Sequence, residues 1–569
     1  MPPRHHALAV ALVLVLGGCQ AADPESPDET VRPATPGPVA TATEGATTSP
    51  TPTPTPAGPR PAAAMADATS CADLAALVVD GLQDHVDAYA STTPEGIAQV
   101  SVARAALLEE LATSAGEAAS RLGCAGSDYR DLLATELDRL EAVSGVQRAV
   151  AGTFVSGLLG GDDPSDPGPS TIQVSTADEL AQAMIAAGSG STIEVAAGTY
   201  ELDTSLVALR PLTVVGAGAE DTTITSTATG AALVIGTAGT VAITGATLSA
   251  TAPGASVVAV TRGGLDLDAV TIAGATRDDA GAGGFGLVLA PDGSTGTGRH
   301  AVTASTFRDN DGGAILVDGI ITPLFRGLEV EATTGCGICW IGTTGGVLED
   351  TTITGGETAL RVEADAAPTI RATTVTDAAT GMVVLDTARP LVSDTTIEGA
   401  EAAIEVGGSA MPELTRVSLV DSIDVGLRMA GTSAAIVDDV AITGSGPGGI
   451  GVLEQATPTI TGGTIDLDGE VAVLFGNSAG GTIDGTTITG ARIGLQIGGQ
   501  ADPTVTGVTA TGIGDAAFLV VDEGSAVMSG LTCDDDASGI VGLQTSGDYD
   551  VQEVDCEVVE ATEQGDDES

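Results

Sequence analysis

The residues best suited to chemistry lie between Arg277 and Trp340. Asp278 and Asp279 sit in the glycine-rich loop that begins at Arg277, and Arg308, Asp309 and Asp311 form a second polar stretch before Ile315. Arg308 beside Asp309 and Asp311, near Asp278 and Asp279 of the previous coil, could form an acid and base constellation on a saccharide. His300, Trp340 and the CxxC pair Cys336 and Cys339 fall in the same stretch. The candidate binding or catalytic set is therefore Asp278, Asp279, His300, Arg308, Asp309, Asp311 and Trp340. A simpler reading competes with it: residues 309–313 are a polar turn before an inward Ile315, and the nearby phenylalanines pack inside. The CxxC lacks a second pair that would complete a metal site, so a local disulfide at a turn is expected.

Composition narrows the chemistry further. The chain has 569 residues, 20 basic against 77 acidic, and a formal charge of −57. Every basic residue is an arginine, which removes lysine bases, Schiff bases and phosphate-binding lysines. Such a charge repels nucleic acid and anionic membrane surfaces, so neither is expected as a partner. With 78 glycines against 6 Phe, 4 Tyr and 1 Trp, any core must be built from small and β-branched side chains.

The elements that must position these residues follow in order along the chain. Residues 1–19 carry Arg4, an apolar run from Ala7 to Leu16, and then Leu16-Gly-Gly-Cys19. The run is too short to span a bilayer and reads as an export signal. Its end resembles the lipobox of bacterial lipoproteins. That resemblance implies lipidation at Cys19 and an anchor on the outer face of the cell membrane, the one membrane contact expected. Residues 20–66 hold 11 prolines and cannot bury a core, so they form a stalk reaching up to about 145 Å at ~3.1 Å per residue. In residues 67–160 the spacing of Leu74, Val78, Leu82 and Val86, and of Leu133, Leu137 and Leu140, predicts a small helical bundle. Ser70 and Ser127 are expected N-caps, Pro94 opens a middle helix and Gly123 ends it. Cys71 and Cys124 fall where a helical hairpin would join them as a disulfide, and His85 reads as a surface residue. Residues 161–170 are a linker, and residues 558–569 an acidic tail.

Residues 171–557 repeat. Pro368, Pro412, Pro458 and Pro503 each open an alternating stretch, at spacings of 44, 46 and 45, and Leu391, Ala435 and Gly481 halve those intervals. A period of 22–23 residues, with short runs of Val, Ile, Leu and Thr between polar turns, marks a solenoid. The leucine and asparagine signature of leucine-rich repeats is missing, which leaves a mainly β chain wound as a right-handed parallel β-helix of about 16 coils. Cys533 and Cys556 are one coil apart and should stack as a disulfide clasp. Asp350, Asp394, Asp438 and Asp484 recur every second coil, a possible acidic column. Calcium is the one cofactor such a column suggests. However, its ligands should converge within one or two rungs, so no metal site is assigned.

The opening of the repeat is informative. Thr176-Ala-Asp-Glu179 is a capping box, followed by Ser191-Thr-Ile-Glu-Val-Ala-Ala-Gly-Thr-Tyr200 and Leu212-Thr-Val-Val-Gly216. This order resembles the start of pectin-lyase-like right-handed β-helix domains, in which the helix covers the first coil. The resemblance implies fold more than activity, because the fold hosts lyases, hydrolases, epimerases, adhesins and non-catalytic proteins. Neither the Gly-His-Gly of polygalacturonase-like hydrolases nor the Asp-Pro-His-Glu of alginate epimerases is present. The expected function is thus a lipid-anchored, non-catalytic binding or structural module, with polysaccharide as its ligand class. Two rivals stand beside it: a polysaccharide lyase or hydrolase using residues 277–311, and a calcium-dependent adhesive rod. The anchor is directly testable. Cys19→Ser is expected to move the protein from the membrane fraction to the culture medium, and retention in the membrane would refute lipidation.

Overall fold

The computed structural model describes residues 64–87, 110–124, 126–137, 139, 166–290, 298–331, 334–444, 446–533 and 540–560. The export signal with Cys19, the stalk up to residue 63, Pro94, Leu140, the start of the linker and the tail from residue 561 lie outside the described residues.

The first unit is helical. Helix α1, Cys71–Asp87, is capped by Ser70, whose Oγ accepts the Asp73 N–H at 3.1 Å. A helical run containing residues 110–122 ends at Gly123 with φ +70°, and the Cys124 N–H reaches back to the Ala119 carbonyl at 2.9 Å. That backbone closure needs a left-handed residue, which is why glycine stands there. Helix α2, Gly126–Leu137, begins one residue before the expected cap Ser127. Leu74, Val78 and Leu82 pack with Leu111, Ala115, Leu133 and Leu137 in one small core. The Cys71–Cys124 disulfide ties the ends of this hairpin, with Cα atoms 5.5 Å apart.

The second unit opens with the strand Thr171–Val174, which pairs with Ser191–Val195, and between them lies helix α3, Ala177–Ala186, held by the expected capping box of Thr176 and Glu179. Its buried residues Leu180, Ala183 and Met184 join the core of the coils below. Beyond it the chain winds as a parallel β-solenoid, and one regular coil shows the plan. Its first strand is Thr358–Val362, its second Thr369–Arg371 and its third Thr374–Thr376. One coil on, these pair in parallel with Thr380–Val384, Leu391–Ser393 and Thr396–Glu398. Repetition makes three faces. The third-strand face contains 15 strands, and the other two merge into one sheet because Ala231–Thr244 and Ser256–Asp268 run on around the corner between them. Each coil buries only its inward residues, here Leu360, Val362, Ile370 and Val375, so stability requires stacked neighbours.

The corners are as regular as the strands. Between second and third strands each coil places one residue at positive φ, such as Ala372 at 47° and Asp394 at 49°. The next residue but one before the third strand's centre is often a buried threonine. Thr373 and Thr395 donate their hydroxyls to the Arg371 and Ser393 carbonyls at 3.2 and 2.9 Å. This fixes the corner without leaving a buried polar group unpaired.

The register corrects the expected acidic column. Asp438 and Asp484 are third residues of second strands, aligned with Thr461 between them. Asp350 and Asp394 sit one residue later, at the positive-φ corner. Side chains alternate with period two, so a one-residue offset separates the aspartates into two kinds of site. The disulfide Cys533–Cys556 does stack on adjacent rungs, with Cα atoms 5.2 Å apart, beside the Thr532–Asp555 bridge. Cys336–Cys339 is also a disulfide, but it lies within a first strand, Cys336–Trp340, and not at a turn.

The second position of the first strands from Thr380 onward carries a packing constraint. Along successive coils it reads Gly381, Ala403, Gly426, Gly449, Ala472, Gly494 and Ala517. This position points at the third strand of its own coil. A Cβ on Gly381 would come within 2.4 Å of Ile397 Cγ2 and 2.6 Å of the Ala403 carbonyl oxygen. Gly381→Val is accordingly expected to destabilise the β-helix by ~1–3 kcal/mol through overpacking. A thermal or denaturant melt checks this, and an unchanged midpoint would show that the column is not space-limited.

Candidate functional site

The solenoid brings the carboxylates of the candidate set to one corner, between third and first strands. The third strands Thr271–Ala273 and Thr306–Arg308 pair in register, as do the following first strands Phe285–Leu289 and Gly313–Val317. Asp278 and Asp279 therefore lie on one rung of this corner, and Arg308, Asp309 and Asp311 on the next. Here the backbones approach closely. A Cβ on Gly312 would meet the Gly283 carbonyl oxygen at 2.1 Å, and one on Gly335 would meet the Arg277 guanidinium at 2.6 Å. Glycine is required at both places, and Arg277 extends over the rungs that follow it.

Within the corner most polar groups are already engaged. The Asp278 carboxylate accepts the N–H groups of Ala280 and Ala282 at 2.9 and 2.8 Å, which closes its own turn. Arg308 pairs with Asp309 at 3.3 Å, both well exposed. Asp309 itself takes φ +56°, the conformation that Asp377 and Asp421 adopt at the same corner further on. Asn310, fully buried, donates to the Ile272 carbonyl and accepts the Ala275 N–H, each at 3.2 Å, and so bolts the turn to the previous coil. Asp279 is exposed and Asp311 half-buried; the Asp311 N–H donates to the Ala275 carbonyl at 2.8 Å.

His300 and Trp340 are placed elsewhere. His300 opens the second strand His300–Thr303 with its side chain inward, in register with Leu265. It is 3% exposed, and neither ring nitrogen has a partner among the described residues. Burial pushes its pKa below the ordinary imidazole value. Trp340 is fully buried in the core, 6.2 Å from the Phe325 ring and tilted 56° to it. Its indole faces packing partners, as do Phe307 and Phe325. Among the described residues no group of three or more His, Cys, Asp or Glu side chains is placed to hold a metal ion.

One constellation escaped the reading of motifs. Arg326, Glu349 and Arg371 are third residues of successive second strands, stacked on adjacent rungs. Arg326 binds one carboxylate oxygen of Glu349 through Nε and Nη2. Arg371 binds the other, with its Nε at 2.8 Å and Nη2 closer still. The Glu349 side chain is 7% exposed while the two arginines keep 54% and 53%. The hydrogen bonds from Arg371, then those from Arg326, hold the Glu349 carboxyl below its usual range. The signal was present in the spacing, since 23 and 22 residues separate the three, one coil each time.

A family profile described as the right handed beta helix region matches residues 402–555. No curated protein matches the chain. Among solved structures, the chain is similar to an alginate lyase from Paenibacillus sp. str. FPU-7, with 12% identity, a TM-score of 0.22, and 68% of this chain and 98% of that one covered. It is similar also to the catalytic domain of a GH87 α-1,3-glucanase in complex with nigerose, at 10% identity and TM-score 0.32, covering 69% and 68% of the two chains. A third is the family 28 exopolygalacturonase of Yersinia enterocolitica, at 8% identity and TM-score 0.29, covering 69% and 79%. At these identities the likeness is one of fold alone.

The buried imidazole has a consequence for pH. Because the folded state holds His300 neutral below its ordinary pKa, the unfolded chain binds the extra proton first as pH falls. Stability should therefore decline from about pH 6.5 downward, until the folded pKa is passed. His300→Leu, matching Leu265 on the neighbouring rung, is expected to flatten this part of the melting-temperature profile between about pH 5 and 7. An unaltered profile would mean that other groups govern it.

Proposed function

We propose that this chain is an exported, lipid-anchored surface protein whose β-helix acts as a non-catalytic binding or structural module, with polysaccharide as its ligand class. The observation that carries the reading is the arrangement of side chains in straight columns. Parallel rungs repeat every ~4.8 Å, so a linear polymer lying along the axis meets the same kinds of group again and again. The third-strand face alone offers 15 such rungs, many of them with threonine hydroxyls at the outward positions, as in Thr352, Thr354, Thr374 and Thr376.

The engagement of the corner residues supports binding over catalysis. Asp278 holds its own turn and Arg308 is paired with Asp309. A general acid or nucleophile needs a carboxylate aimed at a substrate. Asp279 and Asp311, on adjacent rungs of the same corner, are the residues on which a lyase or hydrolase would have to rest. The full-length protein, screened against acidic and neutral polysaccharides, is expected to retain a polymer without releasing reducing ends or unsaturated products. Product release that is abolished by Asp279→Asn or Asp311→Asn would replace the binding module with an enzyme.

A further inference from the structure

The charge of −57 is not evenly laid over the second-strand face. Over the five rungs whose strands begin between His300 and Leu391, the outward positions carry Arg299, Arg326, Arg371 and Arg389 against one acidic residue, Glu349. The rung before this window presents Asp266 and Asp268, and two rungs after it Asp438 and Asp439 stand together. At the corner with the third strands Asp394 is neutralised by a bidentate bond from Arg416, at 2.7 and 2.9 Å, and Asp350 is the other carboxylate of that corner; Asp318, Asp365 and Asp386 stand at the opposite corner, between first and second strands. A basic window on so acidic a surface is where an anion can approach.

The window is also built to hold one. Glu349 fixes Arg326 and Arg371 by their Nε and Nη2 edges, which leaves their Nη1 atoms without a partner among the described residues on side chains 54% and 53% exposed. Two rungs separate them, or about 9.6 Å along the axis. A guanidinium held in place loses little further freedom on binding a carboxylate, and the fork geometry suits that group. Beside this column on the same face runs a mostly apolar one, Leu324, Val347, Thr369 and Leu391, the last 49% exposed. Cationic forks alongside aliphatic rails suit a chain of pyranose rings that bears one carboxylate at intervals.

We infer that the second-strand face between His300 and Leu391 binds a linear carboxylated polysaccharide lying along the axis, with Arg326 and Arg371 as its carboxylate anchors. This rests on the polysaccharide-binding reading given above and adds the ligand's charge and place. The test uses the full-length protein with three soluble probes: polygalacturonate, its methyl ester and dextran. Polygalacturonate should bind about tenfold or more tightly than the ester, and the preference should weaken as salt rises. The triple variant Arg326→Gln, Glu349→Gln, Arg371→Gln replaces the charged ladder with a neutral one and should erase the preference while the protein still melts cooperatively. Should that variant fold poorly, Arg299→Gln with Arg389→Gln, which touches two exposed arginines outside the ladder, should reduce polygalacturonate affinity severalfold. Equal binding of acid and ester, or a preference untouched by these variants, overturns the inference while leaving a neutral-glycan module standing. Binding to none of the probes, nor to any glycan of the wider screen, overturns both.

Discussion

Everything in the β-helix depends on closure: each circuit of the chain must return its three strands onto the three strands below, backbone to backbone. The ladder bonds between rungs are strong and unforgiving of offset, so side chains must adapt to the backbone path and not the reverse. This is why the second position of most first strands is held to glycine or alanine, why one corner residue per coil accepts positive φ, and why buried threonines fasten the corners. It also explains a core almost free of aromatic residues. The few that occur there, Tyr200, Phe307, Phe325, Trp340, Phe475 and Phe518, are at most 2% exposed, where a single large ring spans the narrow section.

What the sequence made legible follows from the same constraint. A fixed path length per coil writes its period into prolines, corner residues and cysteines, so the fold, the capping helix and the Cys533–Cys556 clasp could be read directly. The period does not say which residue of a coil is aligned with which, because coils of 22 and 23 residues alternate irregularly. That single-residue ambiguity is enough to place Asp350 and Asp438 in one imagined column, although one stands at a corner and the other on a strand. It also hides direction: His300 looked like a free imidazole, and only the register with Leu265 shows that it faces inward.

The candidate site was legible in part for a different reason. Departures from a repeat draw attention, and the loop at Arg277 and the polar stretch after Arg308 do share a corner. Yet a departure may serve the backbone, as Asp278 and Asn310 do by closing and fastening turns. The Arg326, Glu349 and Arg371 ladder obeys the repeat and so attracts no notice, although it joins three charges across three rungs. Regularity conceals such groups because the partners are distant in sequence and ordinary in composition.

The serial stacking of coils has a mechanical side. Each coil is bonded only to the one before and the one after it, so a pull on the amino-terminal end of the solenoid loads one rung at a time. Coils would peel in sequence, each presenting its own modest barrier, and the chain would lengthen in steps of one circuit. The Cys533–Cys556 clasp, at the opposite end, would be the last part to feel the force. A rod of this kind yields gradually under tension and can rewind on the coils still standing when the load is removed.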